Sequence, residues 1–315
     1  MSELSIVIRT ANCRDTLGEC LAGLARQTFR DFELIVVDSG SKDGTAEAAR
    51  AAGARVLSVP AGSFTYGGTL NLGCREARGR FLASLSAHSL LMEPTVLDRL
   101  LAALRAADDR VAGVYGCPVF TDAEALAPPA GRPAERITRD AFRELCNLGL
   151  SNSFSIVRRE LWEATPFPEE RCEDQKWAAL HLDRGYATVR VLSARFRYRL
   201  NRDWRYYVRK HRDDLLMLYR TWPQARWPRE ELLDGPRVRY RFWCMLRRLR
   251  LAGWKWDRLT DAQKWFAASE LGIFWAGSIV RGGRFWPVNC AGDLARVFLL
   301  PASRKGWLDP PGEWP

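Results

Sequence analysis

Three short stretches of the 315-residue chain carry side chains that could do chemistry. The first is Asp38-Ser39-Gly40-Ser41-Lys42-Asp43-Gly44-Thr45, which follows an apolar run and opens an alanine-rich one. A carboxylate at a strand end can accept the N–H of a base or the hydroxyls of a ribose. Gly and Ser beside it let the backbone approach a ligand. The same residues also suit an ordinary strand-to-helix turn with Asp43 as a cap. The second stretch is Ser86-Ala87-His88. A neutral imidazole there could ligate a metal through one ring nitrogen, and an imidazolium could pair with phosphate. A hydrogen-bonded loop histidine would do neither. The third is Glu173-Asp174, at the head of a helical pattern. The helix dipole keeps carboxylates ionised there, and acidic residues also act there as plain caps.

The elements that must position these stretches follow from periodicity. Residues 4–9, 32–38, 54–59, 80–85 and 111–115 read as buried strands. Between them lie helical patterns over 16–26, with Thr16 or Asp15 as a possible cap, and over 46–52, 69–77 and 94–106. Such alternation predicts an α/β fold with a mostly parallel sheet covered on both faces. Ligands then sit at the carboxyl ends of the strands, so Asp38 and residues 86–88 should face one crevice. Residues 121–140, rich in Ala, Pro and charge, read as a surface loop. Residues 153–157 and 189–198 read as strands, 173–184 as a helix, and the pattern is helical from Asp203 onward.

Taken together, Ile6-Val7-Ile8-Arg9-Thr10-Ala11-Asn12, Gln27-Thr28, the run Ile35 to Thr45, Asn71-Leu72-Gly73 and Ala77-Arg78-Gly79-Arg80-Phe81 resemble family 2 glycosyltransferases of the GT-A fold. The resemblance resumes over 151–198 with Ser151 to Arg159, Trp162, Pro166-Phe167 and Cys172 to Trp177. It implies a GT-A domain over 1–200, with a nucleotide-sugar half to about 120 and an acceptor half after it. A basic, Trp-rich helical extension over 201–315 would follow. It implies that Thr10, Asn12 and Asp38 hold the nucleoside of a nucleotide-sugar donor, with Ser41 and Ser86 lining the same site. Asn71 would stand near the diphosphate, although Leu70 replaces the arginine usual before it. Asp174 matches the catalytic base, with Glu173 beside it.

Ser86-Ala87-His88 replaces the family's Asp-x-Asp, which binds a divalent metal (Mn or Mg) on the donor diphosphate. Ser-Ala-His-Ser with Val114-Tyr115-Gly116 resembles one bacterial branch of the family. His88 is the candidate metal ligand or phosphate partner. The family often has a further histidine after the strand at Val191, where this chain has Arg195, Arg197 and Arg199. These could neutralise a leaving diphosphate without a metal, or could be solvated edge charges. The implied reaction is an inverting single displacement. With no membrane span and no Gln-x-x-Arg-Trp motif, it should add one sugar per encounter. The expected acceptor is a cell-surface glycan or a lipid-linked saccharide. Two rivals are a glycosyltransferase that modifies nucleic acid or another macromolecule, and a catalytically silent nucleotide-binding partner subunit.

Composition narrows the setting. Hydrophobic residues make up 47%, enough for a core. No stretch approaches the roughly 18 apolar residues of a membrane span, and the first ten residues do not read as a signal peptide. A cytoplasmic protein is expected, peripheral on the inner membrane face if its basic segment binds lipid. The eight cysteines form no Cys-x-x-Cys pair, so buried free thiols are expected. Net charge is +11, and residues 195–258 hold 19 Lys/Arg against 7 Asp/Glu. Eleven of the 13 tryptophans lie beyond residue 195. That segment could meet an anionic membrane surface or, less readily, nucleic acid; or its Trp and Leu form helical core while Arg coats the solvent face.

Overall fold

The structure, a computed structural model, describes residues 2–119, 133–139, 149–169 and 172–199. The chain divides into two compact units, Met1–Arg199 and Leu200–Pro315. The helical extension expected over 201–315 lies outside the described residues, as does the basic segment from residue 200 onward. No helix among the described residues is long and apolar enough to cross a membrane.

The elements run β1 (Leu4–Thr10), α1 (Arg14–Ala25), β2 (Phe32–Asp38), α2 (Thr45–Ala51), β3 (Arg55–Ser58), α3 (Tyr66–Glu76) and β4 (Phe81–Ser86). Then come β5 (Ser89–Leu91), α4 (Val96–Ala106), β6 (Val111–Val119), β7 (Ala134–Ile137), β8 (Phe154–Arg158), α5 (Arg159–Ala164), α6 (Glu173–Asp183) and β9 (Ala187–Tyr198). The sheet order is β3-β2-β1-β4-β8-β6-β9-β5, with β7 paired to β9. Strands β3, β2, β1 and β4 are all parallel, and β6 and β9 are parallel further along. β8 runs antiparallel between β4 and β6.

Strand β1 is central because it is apolar on both faces: Leu4, Ile6, Val7 and Ile8 are fully buried. One face of the sheet packs Ile6, Ile8, Val36 and Leu85 against Leu17 and Leu24 of α1 and Leu97, Leu100, Leu101 and Leu104 of α4. The i, i+3, i+4, i+7 spacing of those α4 leucines is what commits it to that face. The other face carries α3, which lies close because Gly73 has no side chain. A Cβ at Gly73 would stand 2.3 Å from Val7 Cγ1 and 3.0 Å from Val37 Cγ2.

Several elements differ from the sequence reading for identifiable reasons. Helix α1 begins at Arg14 with Cys13 before it, and neither Thr16 nor Asp15 caps it; the Thr16 hydroxyl donates to the Cys13 carbonyl at 3.1 Å. Helix α3 begins at Tyr66, earlier than the glycines suggest, because Thr65 caps it by accepting the Gly68 N–H at 3.1 Å. Residues 134–137, expected in a surface loop, form β7 by pairing with β9. β5 and α5 went unread.

Register places the chemistry. Thr10 lies opposite Asp38 and Arg9 opposite Ser86, so β1, β2 and β4 end at one level. Because β8 is antiparallel, its start arrives at that same end, with Phe154 opposite Leu85. Replacing Gly73 with Ala should push α3 off the sheet. We expect a loss of about 1–3 kcal/mol in unfolding free energy, read as a lower melting temperature.

Candidate active site

The loop after β2 is organised by one carboxylate. Asp38 Oδ1 accepts the Thr10 hydroxyl at 2.9 Å and the Ser41 hydroxyl at 2.5 Å, and its Oδ2 accepts the Ser41 N–H at 2.9 Å. Thr10 and Asp38 are each only 3% exposed. Gly40 turns the loop with φ +73°, a left-handed conformation that glycine adopts without strain. Asn12 also has positive φ, and its Oδ1 accepts the Lys42 N–H at 2.9 Å while its own N–H donates to Ser41 Oγ at 2.8 Å. Asp38 therefore holds the loop in shape. The surfaces left open to a ligand belong to Asn12, Ser41 and Lys42. The Ser39 hydroxyl in the same loop is buried and has no hydrogen-bond partner.

Asp43 is not the N-cap residue, which is Gly44, but its carboxylate holds the first residue of two helices. Its Oδ1 accepts the Thr45 hydroxyl at 2.5 Å and the Thr45 N–H at 3.1 Å, and its Oδ2 accepts the Arg14 N–H at 3.1 Å. The Thr45 hydroxyl and then the Arg14 N–H hold this carboxyl below the usual range.

Ser86 ends β4, and Ala87-His88 form the turn into β5. The Ser86 hydroxyl accepts the His88 N–H at 3.2 Å, and the Ser86 N–H donates to the Ser153 carbonyl at 3.0 Å. The end of β9 lies alongside, where the Arg199 N–H donates to the His88 carbonyl at 3.0 Å. The Arg199 side chain reaches Glu19 on α1 at 2.6 Å.

The head of α6 clasps the segment before β8. Asp174 Oδ2 accepts the Asn152 N–H at 3.0 Å, and Asp174 Oδ1 accepts the Gln175 N–H at 2.8 Å. Gln175 Oε1 accepts the Gly149 N–H at 2.9 Å, and its Nε2 donates to the Leu150 carbonyl. Glu173 accepts Asn152 Nδ2 at 3.2 Å and forms an ion pair with Arg9 at 2.9 Å. Cys172, just before this turn, has φ +62°, which turns the chain sharply into the helix. Deeper in α6, Trp177 is fully buried, stacks on His181 with ring centroids 3.9 Å apart and donates Nε1–H to the Thr165 carbonyl at 2.7 Å. Glu173 is 4% exposed, whereas Asp174 is half-buried. Sequence reasoning missed Arg9 and Asn152 as members of this site. Their only signal was a charge in an otherwise apolar strand and an amide between two serines.

A resident divalent ion prefers several oxygen ligands, chiefly carboxylates. Among the described residues, no three His, Cys, Asp or Glu side chains come together to hold one. Asp38 is occupied with its loop and Glu173 with Arg9. The described residues do not fit a protein-held Mn or Mg ion at Ser86-Ala87-His88.

Asn71 stands on α3. Expected beside a diphosphate, it is 5% exposed and faces the chain around Phe167. Its Nδ2 donates to the Phe167 carbonyl at 2.7 Å, and its Oδ1 accepts Trp162 Nε1–H at 2.9 Å and the Phe167 N–H at 3.1 Å. With both lone pairs engaged, it fastens α3 to the chain leading to α6. Asn71→Ala would strand two buried N–H donors. We expect a cost of about 1–3 kcal/mol in stability, with nucleotide affinity retained in the folded fraction; chemical denaturation and calorimetry check the two halves.

Residues 5–163 match the family described as Glycosyl transferase family 2. An O-antigen chain rhamnosyltransferase of Salmonella anatum is 27% identical over 215 residues, 64% of this chain and 67% of that protein. A PGL/p-HBAD biosynthesis glycosyltransferase of Mycobacterium bovis is 36% identical over 102 residues, 31% of this chain and 40% of that protein. Among solved structures, a mannosyltransferase from Pyrobaculum calidifontis, in complex with GDP-Man and Mn2+, superposes with TM-score 0.57 at 17% identity, over 98% of this chain and 83% of that one. The glucosyl-3-phosphoglycerate synthase of Mycobacterium tuberculosis, with Mn2+, UDP and glucosyl-3-phosphoglycerate, gives 0.52 at 21% identity, over 70% of this chain and 80% of that one. The two structural likenesses establish the GT-A fold. The family match, covering half of the chain, completes the argument: the protein belongs to glycosyl transferase family 2.

Proposed function

We propose that the domain transfers one sugar per encounter from a nucleotide-sugar to an acceptor hydroxyl, with inversion. The supporting observation is that the Asp38–Ser41 loop leaves β2 at the end of the sheet where β8 begins, and Asp174 of α6 is bound to the segment entering β8. The nucleoside takes the surface of Asn12 and Ser41, with Thr10 and Asp38 behind it. The orphaned Ser39 hydroxyl in that loop is a polar group that a bound nucleoside can satisfy.

In the reaction, Asp174 takes the proton of the acceptor hydroxyl. The acceptor oxygen attacks the anomeric carbon and forms the new glycosidic bond. The bond from that carbon to the diphosphate oxygen breaks, and its electron pair leaves with the phosphate. His88, beside Ser86, takes up the charge that develops there, with Arg195 and Arg197 of β9 assigned to share it. Ser86-Ala87-His88 then marks a branch of the family that does not build a carboxylate metal site.

The likeness to an O-antigen rhamnosyltransferase and a PGL/p-HBAD glycosyltransferase supports a hexosyl or deoxyhexosyl donor and a cell-surface glycan or lipid-linked acceptor. A panel of UDP-, dTDP- and GDP-activated sugars, with a lipid extract of the source cells as acceptor, reads turnover as nucleoside diphosphate release. Asp174→Asn should lower kcat by about 10²–10⁴-fold while nucleotide affinity is kept. A variant that turns over at the wild-type rate would remove Asp174 as the base.

A further inference from the structure

Arg9 takes no part in the reaction as drawn, yet it is a charge near the end of an otherwise apolar strand. Its side chain is only 18% exposed. A guanidinium so placed needs partners. Arg9 finds them on two other elements. Its Nη1 donates to the carbonyl of Tyr66, the first residue of α3, and to Glu173 Oε1 at 2.9 Å. It also lies 5.8 Å from the centroid of the Tyr66 ring.

From Glu173 the contacts continue to Asp174. Asn152 donates Nδ2–H to Glu173 at 3.2 Å and its backbone N–H to Asp174 at 3.0 Å. Asn152 is itself fixed: its Oδ1 accepts the Ser155 hydroxyl at 3.1 Å and its carbonyl accepts the Ser84 hydroxyl at 3.2 Å. A chain of contacts therefore runs from β1 through Glu173 and Asn152 to the half-buried carboxylate. Glu173 is engaged by Arg9 and Asn152, and Asp174, half-buried beside it, is held by the backbone N–H groups of Asn152 and Gln175.

We propose that Arg9 is a positioning residue, fixing through Glu173 and Asn152 the place of Asp174; this rests on Asp174 being the base. Arginine suits the role better than lysine. Its rigid planar group can hold a carbonyl on α3 and a carboxylate on α6 together. Its neighbour Thr10 points to the opposite face of the strand and holds Asp38. Two consecutive residues of β1 thus anchor the donor loop and the base.

The test compares Arg9→Met, Arg9→Lys and the double variant Arg9→Met/Glu173→Gln in the release assay, with nucleotide affinity measured in parallel. Arg9→Met unfastens Glu173 from β1 while leaving Asp174 itself unchanged. Its kcat should fall about 10²-fold, as for a misplaced catalytic group, with nucleotide affinity unchanged. Arg9→Lys should be intermediate. The double variant leaves no stranded buried charge, so it folds even where Arg9→Met does not. It should be no faster than Arg9→Met, because residues acting in series are not additive. Wild-type kcat in Arg9→Met or the double variant would overturn the proposal. So would a loss of nucleotide affinity parallel to the loss of kcat, which would indicate a general structural role. An inactive Asp174→Asn beside a fully active Arg9→Met removes only the role of Arg9. An active Asp174→Asn removes the base reading and this inference with it.

Discussion

A carboxylate buried at the head of α6 has to be paired, and the pairing of Glu173 with Arg9 ties α6 to the end of β1. The residues are 164 positions apart. Breaking one partner of such a pair leaves an uncompensated charge, which costs more than the intact pair contributes. The ion pair therefore acts as a constraint on geometry more than as a source of stability. Around it, Asn152 and Gln175 give the first turn of α6 a fixed seat on the segment before β8. The left-handed Cys172 makes that turn sharp enough to present Glu173 and Asp174 to different partners.

The sheet supplies the other constraint. Parallel strands β1, β2 and β4 bring Thr10, Asp38 and Ser86 to one edge. A further parallel strand in the place of β8 would carry residues 149–153 to the far end. The reversal of β8 brings them back beside Ser86, and α6 comes with them. The donor loop and the proposed base thus come from distant parts of the chain yet share one rigid support. Loops carry the chemistry, and the strands fix where those loops begin.

Much of this was legible in the sequence because the signals are local. Strand β2 follows its apolar run over Phe32–Asp38, and α4 follows its leucine spacing. What the sequence hid depends on distant partners. β7 is four residues long and exists because β9 accepts it. The start of α3 is masked by two glycines, which lower helix propensity, while the cap at Thr65 outweighs them. Asn71 is expected at the diphosphate on the resemblance alone. Only the fold reveals that Trp162 and Phe167, more than ninety positions on, use its amide. Arg9 was hidden for the same reason, and Asp38 was visible as a site residue although its buried position makes it an organiser of the loop.

The proposed transfer requires a nucleoside diphosphate site at the Asp38 loop that works without a carboxylate metal centre. Calorimetric titration of the full chain with UDP, dTDP, GDP and CMP, each with and without manganese, tests it most directly. We expect one of the three diphosphates to bind more tightly than CMP, with an affinity that manganese changes little. Binding by none of them to a folded sample would contradict the donor site, and binding that requires manganese would contradict the assignment of the diphosphate charge to His88 and the arginines of β9.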